Sequence, residues 1–243
     1  MRPSALLLLL ATSGCDFIFR LDPVPTPAID ASTVDLPGHD DGPEEPTDAP
    51  VDAPAKIACG MTVVDDTFAG PTPCANWGSF FATNANVTSG GGQLVISVTS
   101  TATEANGGCN SNQYLFAGAG VIAHMTSVTT GNNSYNGLQV AGSSLDAALN
   151  VNMGTLKFQT RSASTTWVSA TYDATAMAWL RLWPDRTTSE VVADYSPDGQ
   201  TWTELGRRSM NLPQMATFSI IGGVNQGGIY SGSTRFSRFM ICQ

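Results

Sequence analysis

Short runs of alternating apolar and polar residues, each broken by Gly, Asn, Ser or Pro, constrain this chain more than any other feature. They recur at residues 93–100 (QLVISVTS), 121–130 (VIAHMTSVTT), 135–141 (YNGLQVA), 155–161 (TLKFQTR), 179–183 (WLRLW), 190–195 (EVVADY), 217–221 (TFSII) and 235–242 (RFSRFMIC). A period of two puts successive side chains on opposite faces of a strand, so each run can bury one face and wet the other. No stretch carries the apolar stripe of an amphipathic helix. Strands of this length and spacing predict an all-β sandwich or barrel, with about a dozen strands.

All of these runs fall within residues 57–243, and the charge follows the same division. Residues 16–56 hold 10 acidic groups against Arg20 and Lys56, whereas residues 57–243 hold 10 acidic against 8 basic groups. The first segment also holds eight of the 14 prolines and has no periodicity. Such a stretch cannot bury enough apolar surface to offset its ordering entropy, so an extended, self-repelling tether is expected over 16–56. His39, beside Asp40 and Asp41, lies in that tether with no second His nearby. The globular part shows no basic patch, which argues against nucleic acid as a partner.

Residues 1–15, MRPSALLLLLATSGC, place one positive charge at Arg2 before an apolar run that ends in small residues. This is the pattern of a secretory signal, too short to span a bilayer as a stable helix. The run Thr12-Ser13-Gly14-Cys15 resembles a bacterial lipobox, although Thr12 stands where Leu is usual. The resemblance implies lipidation at Cys15 and attachment of an exported chain to the cell envelope, at the outer membrane or cell surface. Cleavage as an ordinary signal is the alternative. The chain has five cysteines, so lipidation of Cys15 leaves an even number for an oxidising compartment.

The segments VVDDTFAG, ANWGSF, GGGQLVISV, YDATAMAWLRLW and ADYSPDGQTWTEL together resemble the concanavalin A-like lectin and glucanase jelly rolls of bacterial surface proteins, over most of residues 62–240. The resemblance implies a two-sheet antiparallel jelly-roll sandwich, with sugars bound on the concave sheet or its rim. Cys59, Cys74, Cys109 and Cys242 permit three pairings. Because first and last strands meet in such sandwiches, Cys59 with Cys242 and Cys74 with Cys109 is the expected set. Zinc is disfavoured, since no Cys-x-x-Cys pair exists and His124 is the one histidine of the domain. His124 alternates with Met125 in a strand-like run, as a structural histidine would.

The paired carboxylates of glucanases, spaced as Glu-x-Asp-x-x-Glu on one strand, are absent. Glu190 and Asp194 share a face but are roughly 13 Å apart along a strand, beyond the ~5 to 9.5 Å that glycoside hydrolysis requires. Glu204 from the next strand could come nearer. Calcium is a second possibility, with Asp65, Asp66, Asp173 and Asp185 as oxygen donors, although turn-forming aspartates explain the same residues.

The stretch YSPDGQTWTE, 195–204, resembles the Asp-box of sialidase-type propellers, but Asp198 and Gly199 are adjacent where that motif separates them, and it occurs once. As a hairpin, Pro197-Asp198-Gly199 sets Ser196 against Gln200, Asp194 against Trp202 and Val192 against Glu204. An even preceding loop, PDRTTS, sets Trp183 against Glu190, Arg181 against Val192 and Trp179 against Asp194. One face then collects Leu180, Leu182, Val191, Ala193, Tyr195 and Leu205 as core. The other collects Trp179, Arg181, Trp183, Glu190, Asp194, Trp202 and Glu204. Three indoles, a guanidinium and three carboxylates suit a glycan or matrix platform, and suit equally a cation–π packing ladder. The expected function is therefore a non-enzymatic, lipid-anchored surface protein that binds glycan or matrix. A glucanase-type hydrolase or a structural envelope module are the alternatives.

Overall fold

In the computed structural model, the residues described are 59–99, 104–160, 165–225, 228 and 232–243. The expected signal sequence, Cys15 and the expected 16–56 tether lie outside them. Among the described residues, fifteen strands follow in chain order. The first five are β1 (Thr62–Asp66), β2 (Gly78–Thr83), β3 (Ala85–Gly90), β4 (Gln93–Val98) and β5 (Ala105–Leu115). Next come β6 (Gly120–Ser127), β7 (Ser134–Ala141), β8 (Asp146–Asn152), β9 (Thr155–Gln159) and β10 (Thr166–Thr171). The last are β11 (Trp179–Asp185), β12 (Glu190–Ser196), β13 (Thr203–Ser209), β14 (Met215–Val224) and β15 (Thr234–Cys242). Each of the eight alternating runs coincides with a strand. β5 is not among those runs, because ANGGCNSNQYL has almost no apolar alternation.

Two antiparallel sheets result. One has the order β13-β12-β11-β6-β15-β4-β3, with β1 also paired to β15; the other has the order β10-β9-β8-β7-β14-β5-β2. Neighbours in each sheet come from distant parts of the chain, as in β7, β14 and β5, which gives the jelly-roll topology. Their inner faces meet in one core. Leu180, Leu182, Val191 and Ala193 from the eight-stranded sheet, and Leu138, Leu149, Phe158, Phe218 and Ile220 from the seven-stranded sheet, are all fully buried there. Each such side chain contributes ~1.5 to 3 kcal/mol by leaving water.

The cysteines pair as expected, Cys59 with Cys242 and Cys74 with Cys109. The first ties the start of the domain to the end of β15, and the second ties the loop after β1 to β5. Two disulfides are the mark of an exported protein. Among the described residues no helix is long and apolar enough to cross a membrane.

The VVDDTFAG segment is explained by Asp66. Its carboxylate accepts hydrogen bonds from the Phe68 backbone N–H and from Trp77 Nε1, each at 2.7 Å. Trp77 is thereby fixed in the core, stacked on Phe239 at 4.2 Å. A second polar anchor crosses between the sheets. Asn136 on β7 accepts from Thr129 N and Oγ1 and from Thr234 Oγ1 of β15, all of them buried.

Candidate functional site

The seven residues expected on one face do come together, on the outer face of the eight-stranded sheet, but in a different register. Arg181 lies opposite Asp194, Trp183 opposite Val192, Trp179 opposite Ser196 and Asp185 opposite Glu190. The expected pairs Trp183 with Glu190, Arg181 with Val192 and Trp179 with Asp194 are each displaced by two residues. The cause is the turn. Asp185 accepts from the N–H groups of Thr187 and Thr188, and Ser189 takes φ 55°. This closes a loop of four residues, 186–189, rather than six, and draws Pro184 and Asp185 into the strand. An even displacement preserves the face of every side chain.

The next hairpin departs in the opposite sense. Asp194 pairs with Glu204 and Val192 with Arg207, with a bulge at Leu205, so Asp194 does not face Trp202 nor Val192 Glu204. Ser196 Oγ accepts from the N–H groups of Asp198 and Gly199, while Asp198 accepts from those of Gln200 and Thr201. Those bonds hold the Asp198 carboxyl at about 2, chiefly through the Thr201 and Gln200 N–H groups. The turn is wider than three residues. Gly199 keeps the expected left-handed conformation at φ 76°, packed so closely that a Cβ there would lie 3.0 Å from the Trp179 ring.

Trp202, released from the strand, folds over the sheet instead. The Arg181 guanidinium stands 4.2 Å from its ring centroid and 5.6 Å from that of Trp183. Asp194 Oδ2 accepts from Arg181 Nε at 2.9 Å, Arg181 Nη2 at 2.5 Å and Trp183 Nε1 at 2.7 Å. Trp179 stacks on His124 at 4.4 Å, and His124 Nδ1 shares a 2.5 Å hydrogen bond with Ser237 Oγ. Burial lowers the His124 pKa. Ile122, Met240 and Cys242 pack against Trp179 and Trp202 to form a small apolar layer. Arg181, Asp194 and Trp183 thus answer one another, whereas Trp202 Nε1 is buried with no hydrogen-bond partner.

The remaining carboxylates are also paired. Arg207 reaches Glu204 at 2.5 Å, Glu190 at 3.1 Å and Asp185 at 3.5 Å. Its hydrogen bonds hold the Glu204 carboxyl below its ordinary range. A glycosidase acid requires the reverse, a raised pKa that retains the proton. The aspartates considered for calcium have protein partners too. Asp65 forms a two-pronged pair with Arg238 at 2.8 Å, and Asp173 caps the N–H groups of Thr175 and Ala176.

A second surface, the outward face of the seven-stranded sheet, escaped sequence reasoning. Strand register lays its side chains in rows. One row runs Lys157, Asn150, Gly137, Ile221, Gly108, Phe81 across six strands, about 24 Å at ~4.8 Å per strand. The adjacent row runs Gln159, Ala148, Gln139, Ser219, Asn110, Ser79. A third holds Tyr135, Gly223, Asn106 and Thr83.

Although they point away from the core, Gln139, Ala148, Asn150, Gln159, Ser219 and Ile221 are each 8% exposed or less. Two glycines in the middle row keep the floor low and amides rise beside it, so the face is recessed. Asn150 Oδ1 is buried with no hydrogen-bond partner. It is held over the floor, where a Cβ on Gly137 would approach it to 2.8 Å. Burial pushes the Tyr135 phenol up to about 12. A recess of about 540 Å³, lined by residues including Gln113, Ala141, Pro213 and Thr217, opens at the rim of the same face. The seven strands carry one acidic residue, Asp146 at the start of β8, and one basic residue, Lys157. The alternation in 135–141 showed which residues turn outward, but nothing local showed that β14 and β5 would lie beside them.

No protein-family model and no curated protein matches the chain. Solved structures do match in fold. A laminarinase from Flavobacterium sp. UMI-01 aligns over 75% of this chain and 100% of its own at 10% identity, TM-score 0.53. The catalytic domain of an endo-1,3-β-glucanase (laminarinase) from Thermotoga petrophila RKU-1 aligns over 75% and 97% at 10% identity, TM-score 0.54. A seed lectin of Lotus tetragonolobus aligns over 74% and 96% at 6% identity, TM-score 0.52. These are concanavalin A-like jelly rolls, and at such identity the likeness is one of fold.

Proposed function

We propose that this chain is a non-enzymatic glycan-binding module, displayed at the bacterial cell surface on the 16–56 tether from a lipid at Cys15. Its binding surface is the recessed outward face of the seven-stranded sheet. The observation that carries this is the chemistry of that trough. Asn106, Asn110, Gln139, Asn150 and Gln159 supply amides that both donate and accept, and the buried Asn150 Oδ1 still lacks a donor. Sugar hydroxyls are donors of the right kind, and Ile221 and Phe81 offer apolar contact to a ring face. A polar atom buried without a partner costs ~1 to 3 kcal/mol, which a bound hydroxyl would recover.

The same surface favours binding over hydrolysis. Two-carboxylate chemistry needs a proton donor and a second carboxylate; Asp146 is the single acidic residue in these strands, and Glu104, just before β5, is taken up by Asn106 Nδ2 and Tyr135 Oη. On the opposite sheet, Asp194 is tied to Arg181 and Glu204 to Arg207. The aromatic cluster there, in which Asp194 already takes up Arg181 and Trp183 and the Trp202 N–H is left without a partner, is assigned a packing role.

The test is a glycan array probed with the purified full chain. Binding is expected, and is expected to be lost in Asn150→Leu/Gln139→Leu while Trp183→Phe retains it. Loss in the Trp183 and Trp202 variants alone would move the site to the aromatic face. Release of reducing ends from a β-glucan, abolished by Glu204→Gln, would replace binding with hydrolysis.

A further inference from the structure

Resting on the glycan reading of the trough, we infer that its ligand is an anionic glycan, whose carboxylate or sulfate group sits on Lys157. Lys157 is half-buried in β9, directly across from Asn150 on one side and Ser169 on the other. Among the described residues its ammonium makes no hydrogen bond or ion pair. The ion pairs between described residues join groups outside this sheet, and Lys157 stands on a face furnished mostly with amides and hydroxyls, with the Glu104 carboxylate held by Asn106 and Tyr135. Asp146, on the adjacent strand, lies four residues along from Asn150, opposite Ala141.

A partly desolvated ammonium beside a buried, donor-seeking carbonyl oxygen makes a two-point receptor. The ammonium donates to an anionic substituent, and Asn150 Oδ1 accepts from a neighbouring hydroxyl. A neutral glycan satisfies only the second point. The domain as a whole is slightly acidic, with 10 acidic against 8 basic groups over residues 57–243. Its long-range field does not attract polyanions, and the preference must arise locally, from contact with this one lysine.

Calorimetric titration of the full chain with length-matched neutral glucan, uronate and O-sulfated oligosaccharides tests the inference. An anionic series should bind tighter than the neutral one on the order of tenfold, the worth of one charge-assisted hydrogen bond at a partly wet site. Comparing the uronate and sulfated series identifies the anion. In Lys157→Met the anionic and neutral oligomers should bind alike, and in Lys157→Arg the difference should remain. Equal affinity for neutral and anionic oligomers, or a preference that survives Lys157→Met, overturns this inference and leaves glycan binding standing. Binding to none of them overturns both.

Discussion

Removing the Asp194 carboxylate tests the packing role assigned to the aromatic cluster. Asp194 is 3% exposed. Its Oδ2 accepts from both arms of Arg181 and from the Trp183 indole. In Asp194→Ala the Arg181 guanidinium, with 14% of its side chain exposed, keeps its charge but loses its counter-charge. The Trp183 N–H loses its acceptor at the same time. Breaking a buried pair by deleting one partner costs ~3 to 5 kcal/mol. Arg181 retains some access to water, which favours the lower part of that range, so ~3 kcal/mol is expected.

Removing both members with similar volume, as in Arg181→Met/Asp194→Leu, leaves no orphaned charge and should fall within ~1 kcal/mol of the parent. Urea unfolding followed by tryptophan fluorescence, with the disulfides kept oxidised, measures both by linear extrapolation. The slope should stay constant while the midpoint falls in the single variant. A loss below ~1 kcal/mol for Asp194→Ala would mean the pair behaves as an exposed surface bridge. A double variant as damaged as the single one would show that uncompensated charge is not the cause.

Asn136→Ala strips the acceptor from three buried donors and should cost ~2 to 4 kcal/mol, visible as a lower Tm. The Asp198 carboxyl, held at about 2 against 3.8 in the unfolded chain, contributes stability that is complete above the unfolded value and is lost as pH falls toward about 2. Acid titration of Asp198→Asn should therefore show a shallower loss in that window, and an unchanged curve would refute the assignment. The Cys74–Cys109 bridge spans 35 residues; its removal in Cys74→Ser/Cys109→Ser should cost ~2 to 4 kcal/mol by freeing the unfolded chain, measurable by urea denaturation.

The face occupied by each side chain was legible wherever alternation was strong. Leu180, Leu182, Val191 and Ala193 reach the core and Trp179, Arg181 and Trp183 turn outward, because parity survives any even change of loop length. Cross-strand partners were not legible in the same way. They depended on the capping bonds of Asp185 and Asp198, which set turn length and are not implied by the apolar pattern. Trp202 shows the difference most clearly: a wider turn removed it from the ladder position opposite Asp194 and laid it over Arg181.

By itself the sequence determined the class of fold, all-β with short strands, because period-two alternation is a local signal that each run carries whole. It also narrowed the disulfides to three sets. Tertiary structure alone decided which outward residues share a surface. The trough joins Asn150 of β8, Gln139 of β7, Ser219 of β14 and Asn110 of β5, residues separated by up to about a hundred positions in the chain. Only the order in which strands pair can bring such residues together, and that order is set by the packing of the whole sandwich rather than by any one strand.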